Sequence, residues 1–376
     1  MKIAAAKESS SLESRVALTP DSVRKFIAAG ASVSVETGAG IASGISDAAF
    51  AEAGATVAHS AAEAYANADI VLCVDAPDDA TVNLIPQGSI LIGMMNPLDP
   101  LSDFTAINNR SLHAYAMELL PRISRAQSMD VLSSQSNLAG YRAVIEAVSA
   151  TSKTIPMMMT AAGTIPPAKT LILGAGVAGL QAIATAKRLG SVVSAFDVRP
   201  AVKEQVESLG AKFVEVKADA NAETSGGYAK EMDEDYKRRQ SEALAAVVPA
   251  QDIIITTALI PGKPAPELLT EAMVASMKPG SVIVDLAAIS GGNCKLTKKD
   301  DVIYTPNGVT IIGYTNLPSR AGTDASPLYA RNLYNFVITL MIDKTTKKLN
   351  VLSDDELIRG TLITKGGQMV HPALTR

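Results

Sequence analysis

The sequence predicts an α/β protein of two domains, each a mostly parallel, doubly wound sheet covered by helices on both faces. Three observations predict it. Short apolar runs alternate with helical stretches along nearly the whole chain, and strands that alternate with helices build parallel sheets through βαβ crossovers. The alternation comes as two series, separated by a long helical stretch near the middle. The chain has 376 residues, 47% of them apolar and none of them tryptophan, enough for two cores in which alanine-rich helices pack closely on sheets.

The first series reads as strands at 2–6, 32–36, 56–58, 69–74, 89–94 and 113–117, with helices at 21–29, 47–53 and 61–68 between them. Pro20 opens the first helix and Gly30 ends it. A long helix is expected over 132–150. The second series reads as strands at 170–173, 192–196, 212–216, 252–257, 281–286 and, last, 309–313. Its helices are expected at 177–189, 201–209 and 267–277. A strong helix at 327–342 follows, and the tail reads as a hairpin of 360–364 and 369–371, turned by Lys365-Gly366-Gly367-Gln368. The helix at 327–342 is expected to return the chain to the first domain, which becomes discontinuous: 1–132 with 319–376, against 133–318 for the second.

Composition excludes several function classes. A net charge of −4 argues against nucleic acid or an anionic membrane as the main partner, because both select basic patches. Cys73 and Cys294 lie far apart with no CxxC spacing, so neither a disulfide framework nor a zinc site is expected, and a reduced cytoplasmic compartment fits. The N-terminus, Met-Lys-Ile-Ala-Ala-Ala-Lys-Glu, reaches a charge too soon for a signal peptide, and no apolar run approaches the roughly 18 residues of a membrane span. His59, His113 and His371 sit in no metal-binding spacing and read as structural, so no metal is expected.

The chemistry concentrates after the strand at 170–173. Gly174-Ala175-Gly176-Val177-Ala178-Gly179 follows a strand and opens a helix, the context a dinucleotide-binding Rossmann turn requires. The first glycine makes the tight turn, the second lets backbone approach a pyrophosphate, and the third lets helix pack on strand. The helix N-terminus offers free N–H groups and partial positive charge to the phosphates. The next strand closes at Asp197, where a carboxylate can accept both ribose hydroxyls of NAD and repel a 2′-phosphate. Arg199 nearby blurs that preference slightly. A look-alike, Gly38-Ala-Gly40-Ile-Ala-Ser-Gly44, has its third glycine one residue late and no matching acid, and reads as a structural turn.

Two polar stretches break the rhythm. The run from Pro121 to Asn137 carries Arg122, Arg125, Gln127, Asp130 and Ser133 just before the long helix. Either Asp130 or Ser133 simply caps that helix while the arginines face solvent, or the run is a loop at the cofactor crevice. The second, 218–227, is either a solvated insertion or a lid hinged at Gly226 and Gly227 with Tyr228 at its tip.

Several strings together resemble the NAD(H)-binding component of proton-translocating NAD(P) transhydrogenases. They are RISRAQSMDVLSSQSNLAGYRAV (Arg122 to Val144), MTAAGTIPPAK (Met159 to Lys169), LGAGVAGLQAIATAKRLG (Leu173 to Gly190), GGYAKEM (Gly226 to Met232), TTALIPGKPAP (Thr256 to Pro266) and GGNC (Gly291 to Cys294). The related alanine dehydrogenases share Glu13-Ser-Arg15-Val-Ala-Leu-Thr-Pro, and there the arginine holds the substrate carboxylate. The dehydrogenases also carry a lysine in the strand matching Val71–Pro77 and a histidine after the strand matching Ile90–Met95. Here both are missing. Oxidising an amino acid needs a base to take a proton as hydride leaves, whereas hydride transfer between two nicotinamides moves none.

The resemblance implies roles. Arg122, Gln127, Asp130 and Ser133, with Ser128 and Met129 among them, would orient the nicotinamide and its ribose. Gly174, Gly176, Val177, Ala178 and Gly179 would hold the pyrophosphate, and Asp197, with Val198 and Arg199 beside it, the adenosine ribose. Gly227, Tyr228 and Met232 would belong to a loop closing on nucleotide, and Ala258 and Leu259 would line the nicotinamide side. It implies NAD(H) as cofactor, NADP(H) on a partner component, membrane-spanning proton-channel subunits and a homodimer, peripherally attached on the cytoplasmic side. An amino acid dehydrogenase and an NADH-sensing module stay open as alternatives.

Overall fold

The computed structural model describes residues 1–216 and 233–375, and its long strands fall in two sheets. In chain order the first six are β1 (Lys2–Ala5), β2 (Ser32–Glu36), β3 (Thr56–Ala58), β4 (Ile70–Asp75), β5 (Ile90–Met94) and β6 (His113–Ala116). Next come a small hairpin, β7 (Met158–Thr160) and β8 (Gly163–Ile165), and then β9 (Lys169–Leu173), β10 (Val192–Phe196) and β11 (Lys212–Phe213). After these run β12 (Ile253–Thr256), β13 (Val282–Asp285), β14 (Val302–Tyr304) and β15 (Thr310–Ile312). The tail supplies β16 (Leu362–Lys365) and β17 (Gln368–Met369). The chain divides into two units, Met1–Gln135 with Pro318–Arg376, and Ser136–Leu317.

In the first unit the strand order is β17-β16-β6-β5-β4-β1-β2-β3, parallel from β6 to β3 and antiparallel where the tail adds β16 and β17. In the second it is β11-β10-β9-β12-β13-β15-β14, parallel except for the edge strand β14. The α/β expectation of mostly parallel, Rossmann-like sheets holds in both units. Each sheet is buried on both faces. Ile70, Leu72 and Val74 of β4 enter one core and Val71 and Cys73 the opposite one. Ile172 of β9 likewise parts from Leu171 and Leu173. Side chains alternate across a strand, so a strand covered on both sides reads as an unbroken apolar run.

Local chemistry starts the helices. Thr19 caps the helix Pro20–Ala28 in a reciprocal capping box with Ser22, and Pro20 takes the first helical position. Asp130 accepts the Ser133 N–H at 2.9 Å where the helix Val131–Ala150 begins. The helix expected over 267–277 shrinks to Glu271–Ala275. The Leu268 and Leu269 N–H groups go to the Asn293 carbonyl, and Thr270 caps what remains. The helix expected to start at Pro327 starts at Gly322, with Pro327 inside it. Tertiary bonds hold that extra turn: Val16 N–H donates to the Ser326 hydroxyl and the Gln135 amide to the Ala325 carbonyl. Gly360 lies in the helix Glu356–Thr361, with the strand beginning only at Leu362. A Cβ there would stand 2.6 Å from Pro121 Cγ, so this glycine serves close packing. Both β14 and the β7–β8 hairpin, whose residues are mostly exposed, go beyond the sequence expectation. Among the described residues no helix is long and apolar enough to cross a membrane.

Candidate nucleotide-binding site

At the carboxyl end of β9 the chain turns through Gly174, whose φ of +102° lies in the region that favours glycine. A Cβ at Gly174 would meet Thr257 Oγ1 at 2.5 Å, and one at Gly179 would stand inside the radius of the Gly174 carbonyl oxygen. The third glycine therefore lets the helix Val177–Arg188 seat against the turn. A Cβ at Gly176 would meet only Arg199 Nη2, at 3.9 Å, so its absence leaves open space rather than relieving a clash. Gly176 is the N-cap, no side chain caps the helix, and Val177 is exposed beside it. An uncapped helix start beside an open glycine is the cradle a pyrophosphate needs.

Gly140 was not singled out from the sequence. It lies in the helix Val131–Ala150, and a Cβ there would collide with the Ala178 carbonyl oxygen. An isolated glycine within a helical pattern was the available signal.

Asp197 ends β10 and is buried. One oxygen accepts the Ala175 N–H at 2.7 Å and Arg199 Nη2 at 2.8 Å, while the other accepts the Arg199 N–H and Nε, each at 2.9 Å. Four donors fill the roughly four acceptor positions of a carboxylate. The acid directly follows β10, and the Arg199 guanidinium folds onto it. Val198 packs against the core of β9 and β12. The loop after β12 begins at Thr257, whose N–H donates to the Leu173 carbonyl and whose hydroxyl donates to the Gly174 carbonyl at 3.1 Å, so Ala258 and Leu259 follow directly from the glycine turn.

In the first unit Arg122, Gln127, Asp130 and Ser133 line one cavity of about 300 Å³, together with Pro121, Ile123, Ser124 and Ala126. Asp130 both lines the cavity and caps the helix, and its second oxygen accepts the Ser133 hydroxyl at 2.5 Å. Arg125 is tied away to Asp355 and Glu356. Ser128 is exposed, with its carbonyl held by Asn332 and Asn335, and Met129 is buried in the core, so neither lines the cavity. Gly227, Tyr228 and Met232, like the polar stretch 218–227, lie outside the described residues. The look-alike glycines are structural: a Cβ at Gly40 would meet Phe50 at 2.7 Å and the Ile45 carbonyl at 2.8 Å. Among the described residues no group of three or more His, Cys, Asp or Glu could hold a metal.

Arg15 is buried and already gripped. Its Nε and Nη2 donate to the two Glu13 oxygens at 2.8 and 2.6 Å, and Nη1 donates to Gln135 at 2.9 Å. This is the fork geometry with which arginine takes a carboxylate. Around it lie acids that sequence reading missed. Burial lifts Glu8 to about 8 and Glu118 to about 7, and burial beside Glu13 pushes Asp75 up. Acids raised by folding stabilise the fold below the ordinary carboxylate range, and that stability is lost as pH rises through their folded values. Unfolding stability is therefore expected to fall between pH 5 and pH 9, by an amount on the order of a few kcal/mol, and the thermal midpoint to fall with it. Glu8→Gln should flatten the slope; melting curves across that range check it.

Two family models match the chain. The alanine dehydrogenase/PNT N-terminal domain covers residues 4–139, and the alanine dehydrogenase/PNT C-terminal domain covers 143–372. An NAD(P) transhydrogenase subunit alpha chain of Rhodospirillum rubrum is 54% identical over 100% of this chain and 99% of its own length. A crystal structure of transhydrogenase from Sinorhizobium meliloti superposes with a TM-score of 0.85 at 46% identity, covering 99% of each chain. A solved L-alanine dehydrogenase gives a TM-score of 0.84 at 26% identity, covering 100% of this chain and 98% of its own. Both branches share the fold, and identity runs far higher on the transhydrogenase side. With both domain models matched in succession along nearly its whole length, the chain belongs to the alanine dehydrogenase/PNT family.

Proposed function

We propose that the chain binds NAD(H) and passes hydride directly between NADH and NADP⁺ held on a partner component, as the NAD(H)-binding subunit of a proton-translocating transhydrogenase. When bound, the nicotinamide supplies the hydride at C4. The chain's own residues bind, orient and shield. The glycine turn and the uncapped helix start receive the pyrophosphate, and Asp197 receives the adenosine ribose in exchange for Arg199. Arg122, Gln127, Asp130 and Ser133, which converge on one cavity, orient the nicotinamide and its ribose. Gly227, Tyr228 and Met232 are assigned to closure by the resemblance alone.

The observation that carries this reading against an amino acid dehydrogenase is the company Arg15 keeps, because Glu13 and Arg15 themselves are common to both branches. The buried groups around it are acids rather than the lysine and histidine of the dehydrogenases. Direct transfer between two nicotinamides requires contact, orientation and exclusion of water, and no base.

The wider assembly belongs to the same proposal. Relatives are named as alpha subunits, which supports partner subunits: an NADP(H)-binding component and membrane-spanning proton-channel subunits, with this chain docked peripherally on the cytoplasmic side. The β7–β8 hairpin, with Met157, Met158 and Met159 exposed, offers an apolar projection of the kind that pairs subunits and supports a homodimer. No metal is required. Incubation with NAD⁺ and L-alanine is expected to give no NADH absorbance; turnover at ordinary enzyme rates of about 1–10³ s⁻¹ would overturn the reading in favour of the dehydrogenase.

A further inference from the structure

The GGNC run has no part in the binding roles above, yet its asparagine is fully buried and committed to one loop. The Asn293 Oδ1 accepts the Ala258 N–H at 3.0 Å, and its Nδ2 donates to the Ala258 carbonyl and to the Pro266 carbonyl, both at 2.8 Å. A single side chain thus ties together the two ends of the loop 258–266. The Asn293 backbone carbonyl accepts the Leu268 and Leu269 N–H groups just beyond that loop.

The turn that delivers this amide is built for it. Gly291 and Gly292 have φ of +97° and +87°, and a Cβ at Gly292 would stand 2.8 Å from Asp285 Oδ2 and 2.9 Å from Thr297 Cβ. Asp285, fully buried at the end of β13, accepts from the Cys294 N–H and the Thr297 hydroxyl on one oxygen. Its other oxygen accepts from the Ala287 N–H and the Thr256 hydroxyl. At its other end the loop is fastened to the glycine turn through Thr257. Asp285 thus holds Cys294, its neighbour Asn293 holds Ala258, and Thr257 before it holds Gly174, while Leu259 and 261–264 stay exposed.

We propose that Asn293 is a positioning residue for hydride transfer: it fixes Ala258 and Leu259 as a rigid wall for the nicotinamide, without touching the nucleotide. This rests on the reading that Ala258 and Leu259 line the nicotinamide side. An amide is the side chain that fits, because the site asks for one acceptor and two donors at once. A carboxylate at the same position faces two carbonyl oxygens, and alanine leaves the Ala258 N–H and both carbonyls without their partner. A loop loosened by an ångström can cost about a hundredfold in rate. The adenosine half, held on β9 and β10, is untouched.

The test measures hydride exchange with an added NADP(H)-binding component, with NADH and AMP affinities alongside, for the unaltered chain, Asn293→Ala and Asn293→Asp. Both variants are expected to lower the exchange rate constant at least tenfold, with the dissociation constants for NADH within about threefold and for AMP unchanged. Asn293→Asp should recover on acidification, as its carboxyl takes a proton and regains a donor. Parallel losses in rate and NADH affinity, or an unchanged rate, overturn the proposal. Absence of exchange by the unaltered chain overturns the transhydrogenase reading itself, and the proposal with it. Where Asn293→Ala does not fold, Asn293→Asp and its pH profile decide.

Discussion

Gly179→Ala is expected to abolish NADH binding and to destabilise the second unit by more than the 1–3 kcal/mol typical of overpacking, on the order of 4 kcal/mol. The added methyl would fall inside the Gly174 carbonyl oxygen, and both partners are backbone. No rotamer change relieves that clash, so the helix Val177–Arg188 must lift from the turn it seats on. Gly176→Ala separates folding from binding. Its φ of −77° suits alanine and its methyl meets only the end of Arg199, so the protein should melt normally. That methyl occupies the space a pyrophosphate must enter, and NADH affinity should drop at least tenfold. Melting curves and NADH titrations of the two variants check the pair. Ordinary NADH binding by Gly176→Ala would show that the second glycine does not face the phosphates.

The second large effect is expected at Asp197. Sequence reasoning gives the carboxylate two charge-assisted bonds on binding NAD, each worth about 1.5–3 kcal/mol. The structure lowers that figure. The carboxylate already holds Ala175 and Arg199, so ribose hydroxyls exchange with the guanidinium instead of adding to it. Asp197→Asn is therefore expected to weaken NADH by about 1.5–3 kcal/mol in total, roughly ten- to 150-fold. AMP should weaken by the same factor, because both ligands present the same ribose. Titration of both ligands reads this directly, and unchanged constants would remove Asp197 from the site.

Strands buried on both faces were legible because their apolar runs are unbroken, as in β4 and β9, and the first helix because Pro20 and Gly30 bracket it. The glycine turn was legible because strand, glycines, helix and acid stand in register at 170–197. Tertiary contacts overrode local signals elsewhere. Leu268 and Leu269 give their N–H groups to Asn293 instead of a helix, and Gly360 packs on Pro121 where turn chemistry suggested a strand. Pro327 looked like a helix start because proline suits the first turn, yet Ser326 and Ala325 are bonded to distant residues that extend the helix before it.

The same pattern holds in the candidate site. The polar run at 121–137 allowed both a helix cap and a cofactor loop, and Asp130 caps the helix while also lining a cavity. Pairings between distant positions could not be read from one sequence: Arg125 with Asp355, Gly140 with Ala178, and Asn293 with Ala258 and Pro266. The Arg199–Asp197 pair is local, but nothing in the sequence says that the arginine folds back rather than facing a ligand.

Direct hydride transfer from NADH on this chain to NADP⁺ on another is decided by the fate of the hydrogen at C4. NADH deuterated at both C4 positions, mixed with the chain, an NADP(H)-binding component and NADP⁺, tests it most directly, with the NADPH formed read by mass spectrometry. Direct transfer gives one deuterium in each NADPH, none released to water, and no product when either component is left out. Deuterium in the water, unlabelled NADPH, or no NADPH with a competent partner would contradict it.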